Sequence, residues 1–371
     1  MKDTSREGRV RRPTIADVAR RAGVSKGLVS FALNDRPGVN VATRDRILSV
    51  AAEMGWSPDV RARSLSTNRS FALGLVLQRD TAIVAGDPFF PAFIAGVERE
   101  LSPAGQALVL ASVPPGPRGA DTYRKLASER RVDGVFISDV RAKDERLALV
   151  HSLGLAAVTL GHPDIESPFP SVTVDDVDGM IATVDHLAEL GHRRIAHVAG
   201  SSEMLHARRR RDAFESACTK HGVECRVVET DFSARQGAEA TTALVAVAAT
   251  RPTAITYSND QMALAGIAVA QRMGLSVPRD VSMAGFDDSD IARYVYPSLT
   301  SVATDVVEWG AAAARALLAV IAGIGVDDTE LAPARLVVRE STGPAPSSRS
   351  SHPHPVLPAL ADLADPEPRV G

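Results

Sequence analysis

Cysteine is nearly absent from this chain: its 371 residues include two, Cys218 and Cys225. Neither falls in a CxxC pair or a Cys/His metal spacing. That excludes a disulfide framework and suits a reducing compartment. Aromatic residues are also scarce, at 4%, although a hydrophobic content of 45% still allows a sizeable core. No run of about eighteen apolar residues marks a membrane span. Met1 to Arg12 is charged and has no apolar centre, so it does not read as a secretory signal. The phosphate-cradling GxGxxG and GxxxxGK[ST] loops, the GxSxG elbow and the HExxH zinc motif are missing too. Asp175-Asp176 and Asp287-Asp288 are adjacent in sequence rather than convergent, so they do not read as a catalytic pair. These absences point to a cytoplasmic protein with no catalytic residues, no metal and no cofactor.

What is present is unevenly distributed. Residues 1–70 carry 14 Lys/Arg against 7 Asp/Glu, and the remainder carries 28 against 38. A basic head on an acidic body fits nucleic-acid binding by one end, the bland alternative being a solvated basic face. The pattern inside the head favours the first. Thr14 and Asp17 have capping-box spacing, and Val18 and Ala19 line the inner face of the helix they open. Gly23 ends that helix, because glycine takes a left-handed turn without strain. Ser25 caps a second helix with Leu28, Val29, Ala32 and Leu33 at helical spacing. This is a helix-turn-helix, whose second helix is of the kind that enters a DNA major groove. Asn40 caps a third helix striped by Ile47, Val50, Ala51 and Met54. Asp59 to Ser66 reads as a short helix, marginal by itself and in need of a partner.

From Phe71 the texture changes. Ala72–Leu77 is a continuous apolar run, as in a buried parallel strand. Strands are predicted at Ala107–Ser112, Gly134–Ser138, Ala156–Leu160, Ile195–Ala199, Ala254–Tyr257 and Val281–Phe286. Helices are predicted at Phe90–Leu101, Met180–Leu190, Arg208–Lys220 and Asp260–Met273. The alternation predicts α/β architecture with parallel sheets, and about 270 residues suggest two lobes. The expected division is a disordered basic arm (1–12), an all-α helix-turn-helix head (13–58), a hinge helix and linker (59–70), a two-lobed body (71–342) and a disordered Pro-rich tail (343–371).

The order and spacing of several motifs resemble the lactose/galactose repressor (LacI/GalR) family of transcription regulators. In the head they are Ile15–Asn34, Val41-Ala42-Thr43-Arg44, Gly55-Trp56-Ser57-Pro58-Asp59 and Ala62-Arg63-Ser64-Leu65. In the body they are Gly191–Ala196, Ser258–Ala263, Gly285-Phe286-Asp287-Asp288, Pro297–Val302 and Leu336–Thr342. The resemblance covers Thr14 to about Thr342. It implies a homodimer that binds a near-palindromic double-stranded operator. The body would resemble a periplasmic sugar-binding protein, crossed three times by the chain, with a small-molecule effector in its cleft.

The resemblance also implies roles. Lys26, Gly27 and Phe31 fall at base-reading positions. Phe31 cannot make a bidentate guanine contact; it packs on a thymine methyl or fills the interface, the bland alternative being that it fills the interior of the head. Thr14, Ser25, Ser30, Asn34 and Thr43 are phosphate binders or caps. Ala62 and Leu65 match a minor-groove wedge, where paired leucines unstack and kink DNA. In the cleft, Phe89 and Phe90 form an aromatic wall and Phe232 a stacking position. Met204 and His206 are further cleft positions. Arg210 grips vicinal hydroxyls or a carboxylate, while Arg208, Arg209 and Arg211 belong to a solvated face. Asn259 and Asp287 supply acceptors for hydroxyls, with Asp260 a helix cap. Val306 and Trp309 belong to the cleft or to the core. Gly161 and His162 stand where many relatives have a polar or acidic residue, so a common hexose is not required. A carbohydrate suits this set, with a nucleoside or small acid as alternatives. Two rival functions share the body: a solute-binding receptor, which has no use for the basic head, and a carbohydrate-processing enzyme.

Overall fold

The computed structural model describes residues 13–33, 37–56, 67–114, 116 and 118–346, which divide into two compact units, 1–70 and 71–371. In the first unit, α1 (Ile15–Ala22), α2 (Lys26–Leu33) and α3 (Val41–Glu53) enclose a small core of Val18, Ala19, Ala22, Val29, Ala32, Ile47 and Ala51. Each helix start is chemically specified. Thr14 and Asp17 complete the capping box, Leu28 N–H donates to Ser25 Oγ at 3.2 Å, and Thr43 N–H donates to Asn40 Oδ1 at 2.8 Å. Gly23 stops α1 in the left-handed region, at φ 67°.

The second unit begins with β1 (Ala72–Leu77), α4 (Thr81–Gly86), α5 (Phe89–Leu101), β2 (Ala107–Ser112), α6 (Arg118–Ser128), β3 (Gly134–Ile137), α7 (Glu145–Ser152), β4 (Ala156–Leu160) and β5 (Ser171–Val174). The chain then builds a second lobe from α8 (Val177–Glu189), β6 (Arg194–Ala199), α9 (Leu205–His221), β7 (Glu224–Glu229), α10 (Ala234–Val245), β8 (Ala254–Tyr257), α11 (Asp260–Arg272), β9 (Ser282–Asp287) and β10 (Thr300–Ala303). It returns to the first lobe with α12 (Val306–Ile321) and β11 (Thr329–Leu331), then closes the second with β12 (Arg335–Val337). The sheet orders are β11-β5-β4-β3-β1-β2 and β12-β10-β9-β8-β6-β7. The chain therefore crosses between lobes three times.

All pairings are parallel except β12 against β10, which is antiparallel. Separate apolar clusters flank the two sheets, centred on Phe93, Val97, Phe136 and Leu317 in one lobe and on Tyr257, Met262, Ile267 and Met283 in the other. Parallel strands buried this way read as unbroken apolar runs. Among the described residues, no helix is long and apolar enough to cross a membrane.

Candidate functional site

On the head, Lys26, Gly27 and Phe31 are exposed on α2, with Gly27 and Phe31 one turn apart. Phe31 is 41% exposed and lies outside the head core, so it does not fill the interior. Thr14 accepts from Asp17 N–H at 3.4 Å and donates its hydroxyl to Asp17 Oδ2 at 2.7 Å, which makes it a cap; Ser25 is a cap too. Ser30 and Thr43 are half-buried. Asn34, Ala62 and Leu65 lie outside the described residues.

In the body, the carboxyl ends of parallel strands meet at one pocket, as open α/β sheets require. Its walls include Arg79 after β1, Asp139 after β3, Gly161 after β4, Ser258 and Asn259 after β8, and Asp287 at the end of β9. Phe89, Phe90, His206, Arg210 and Phe232 also line it. Seven of the eight expected effector residues thus meet. Met204 does not line the pocket. It belongs to the core of the second lobe, where its Sδ accepts from Arg79 Nη2 at 3.4 Å. Trp309 lines the pocket, its Nε1 donating to Val172 O at 2.9 Å, whereas Val306 is core. Phe89 and Trp309 meet edge to face, 5.7 Å between centroids.

Charge in the pocket is arranged in pairs. Arg210 is buried; its Nε donates to Asp176 Oδ2 at 2.9 Å and its Nη1 to Ser258 O at 3.1 Å, and its guanidinium lies 3.6 Å from the centroid of Phe286. Arg209 also lines the pocket, with Nε 3.6 Å from Asp176 Oδ1, so the four-arginine run is not simply a solvated face. Arg79 forks onto Asp139 with bonds of 2.8 and 2.6 Å. Burial pushes the Asp139 carboxyl up, but Arg79 more than offsets it and holds the group below the usual carboxylate range.

Among the described residues, two carboxylates of the pocket have no salt-bridged cation. Asp87 accepts from Phe89 N–H at 3.0 Å and from Asn259 Nδ2 at 3.3 Å, and burial raises its carboxyl above the ordinary value. Asp287 sits at φ 102° and accepts no hydrogen bond through its side chain among the described residues; burial holds it well above the ordinary range. His206 is pushed down to about 3, by burial and then by Arg210, so it is neutral at physiological pH.

Two further expectations need correction. Asp176 and Asp287, one from each adjacent pair, converge in this pocket because a lobe crossing and a strand end meet there. The cap of α11 is Asn259, which has the extended backbone a cap needs and accepts from Met262 N–H at 3.0 Å. Asp260, already helical, instead accepts from Ser289 N–H (2.6 Å) and from the hydroxyls of Ser289 (2.7 Å) and Ser301 (2.5 Å). Arg79 and Asp139 carried no sequence signal, since a single charge after an apolar strand is ordinary. Among the described residues, no cluster of three or more His, Cys, Asp or Glu could hold a metal ion.

Residues 14–59 match the model for bacterial regulatory proteins of the lacI family, and residues 184–342 match the periplasmic binding protein-like domain. The HTH-type transcriptional regulator reg1 of Streptomyces lividans is 32% identical over 348 residues, covering 90% of this chain and 98% of that protein. The regulator CelR, solved in complex with cellobiose, is 30% identical with a TM-score of 0.67, over 89% of this chain and all of that one. The lac repressor dimer, solved with operator and an anti-inducer, is 27% identical with a TM-score of 0.76, over 90% of this chain and all of that one.

Proposed function

The chain belongs to the LacI family of bacterial transcriptional regulators, and from that premise we propose that it is a cytoplasmic repressor that binds a palindromic operator as a homodimer. In this reading residues 13–58 read DNA, residues 59–70 are the hinge, and residues 71–342 bind the effector and dimerise. Lys26, Gly27 and Phe31 face the bases. The effector is a neutral carbohydrate or sugar derivative in the pocket between the lobes.

The observation that carries the ligand class is the charge pairing. Both buried guanidiniums already hold carboxylates. The remaining acids, Asp87 and Asp287, are desolvated groups with no salt-bridged cation among the described residues; burial favours their neutral form, which exchanges hydrogen bonds with hydroxyls and offers an anion no charge partner. This argues against the small acid and reads the converging carboxylates as binding groups rather than catalytic ones. Phe89 and Trp309 add an apolar wall, the usual complement to a few placed polar groups.

Gel shifts with DNA from the chain's own genomic neighbourhood test the reading. A complex that survives competitor DNA and moderate salt, and that responds to a neutral sugar but not to the matching uronate, is the expected result. Purely salt-labile, sequence-independent binding contradicts it.

A further inference from the structure

We infer that Arg79 occupies the aromatic platform of the second lobe and thereby makes the cleft a site for a single sugar ring. The inference rests on the carbohydrate reading above. Phe232 is the aromatic residue that this lobe contributes to the pocket, yet it is only 3% exposed. The Arg79 guanidinium carbon lies 4.6 Å from the centroid of its ring, and the His206 ring lies 5.6 Å away. The ring cannot retreat, because Gly200 presses against its outer edge: a Cβ placed there would come within 1.9 Å of Phe232 Cζ. A sugar ring stacking on Phe232 would have to displace Arg79.

Arg79 is not a loose side chain that would yield. It is 7% exposed and forks onto Asp139 with two short bonds. Asp139 is held in turn, since Arg146 Nη2 donates to the carbonyls of Ser138 (2.9 Å) and Asp139 (2.8 Å). Arg146 is itself clamped by Asp144, at 2.6 Å for the closest bond. The aromatic surface left for a ligand is the Phe89 and Trp309 wall of the first lobe, which suits one ring.

Trp309 fluorescence and titration calorimetry on the full chain test this. The probes are glucose, galactose, xylose and ribose against the two-ring sugars cellobiose, maltose and lactose. In the wild type, the best single-ring sugar is expected to bind about tenfold more tightly than any two-ring sugar, the scale of one lost stacking contact. Arg79→Ala combined with Asp139→Asn uncovers Phe232 without leaving a bare buried carboxylate, and should narrow or reverse that ratio. A two-ring sugar that binds the wild type at least as tightly overturns the inference, whether or not the double variant folds. So does an unchanged ratio in a folded double variant. Silence from every sugar on both proteins overturns the carbohydrate reading, and this inference with it.

Discussion

Asp260 shows how a residue can be named correctly and assigned the wrong work. At the start of the helix expected over 260–273 it reads as a cap, but the backbone places Asn259 just before the helix and Asp260 within it. The Asp260 carboxyl is consequently buried and pushed up to about 6 from an ordinary 3.8. A folded-state value above the unfolded one contributes stability at low pH that is lost as pH rises from about 4 through 6. Asp260→Asn lacks that titration. The melting temperature of the variant relative to the wild type should therefore climb between pH 4 and 6 and level off above about pH 7. A difference flat across that window would show that Asp260 keeps an ordinary pKa. Arg210 illustrates the opposite case: register singled it out from its run of four, and burial against Asp176 and Phe286 explains why it differs from Arg208 and Arg211.

At the scale of elements, the chain was most legible where local chemistry is strongest. The capping residues of α1 and α3 and the apolar runs of β1, β2, β4 and β8 needed nothing beyond their own segments. Replacing Thr14 with Ala removes the bond that its hydroxyl accepts from Asp17 N–H and leaves only the backbone Thr14 N–H bond to Asp17 Oδ2. The cost is about 1 kcal/mol, so amide exchange across residues 15–22 of the full chain should quicken by roughly fivefold. Unchanged exchange would mean that the packing of α1 alone holds its first turn. Strands β5, β7, β10 and β11 were not legible. They are short or lie at sheet edges, as with Glu224–Glu229, which is half exposed and flanked by charge. Such strands exist because a neighbour offers a hydrogen-bonding edge, and no single segment encodes that.

The whole molecule adds connections between lobes that no segment implies. Leu205 N–H donates to Val140 O at 2.9 Å and Ala142 N–H to Glu203 O at 3.3 Å, while Asn259 reaches Asp87 across the pocket. In the proposed reading, effector binding is tied to the relative placement of the lobes, and a ligand acts by shifting that placement. If the hinge wedge carries the output, Leu65→Ala should weaken operator binding by at least about tenfold, the scale of one lost unstacking contact. Sugar affinity measured by calorimetry should stay within a few-fold. Equal losses in both would make Leu65 a structural residue instead.

The amino-acid sequence by itself determined the two-part plan, the helix-turn-helix with its caps, the parallel two-lobed body and seven residues of the pocket. The plan and the helices follow from short-range periodicity and capping chemistry, and the pocket residues from the resemblance of the motifs to the LacI family. Only the tertiary structure decided how charge is paired inside the pocket. Arg79 and Asp139 lie sixty residues apart and meet because β1 and β3 are neighbours in one sheet. Asp176 and Asp287 meet because a crossing segment and a strand end share one cleft. Burial, a property of the assembled fold, then raises the Asp87 and Asp287 carboxyls above their ordinary range and covers Phe232.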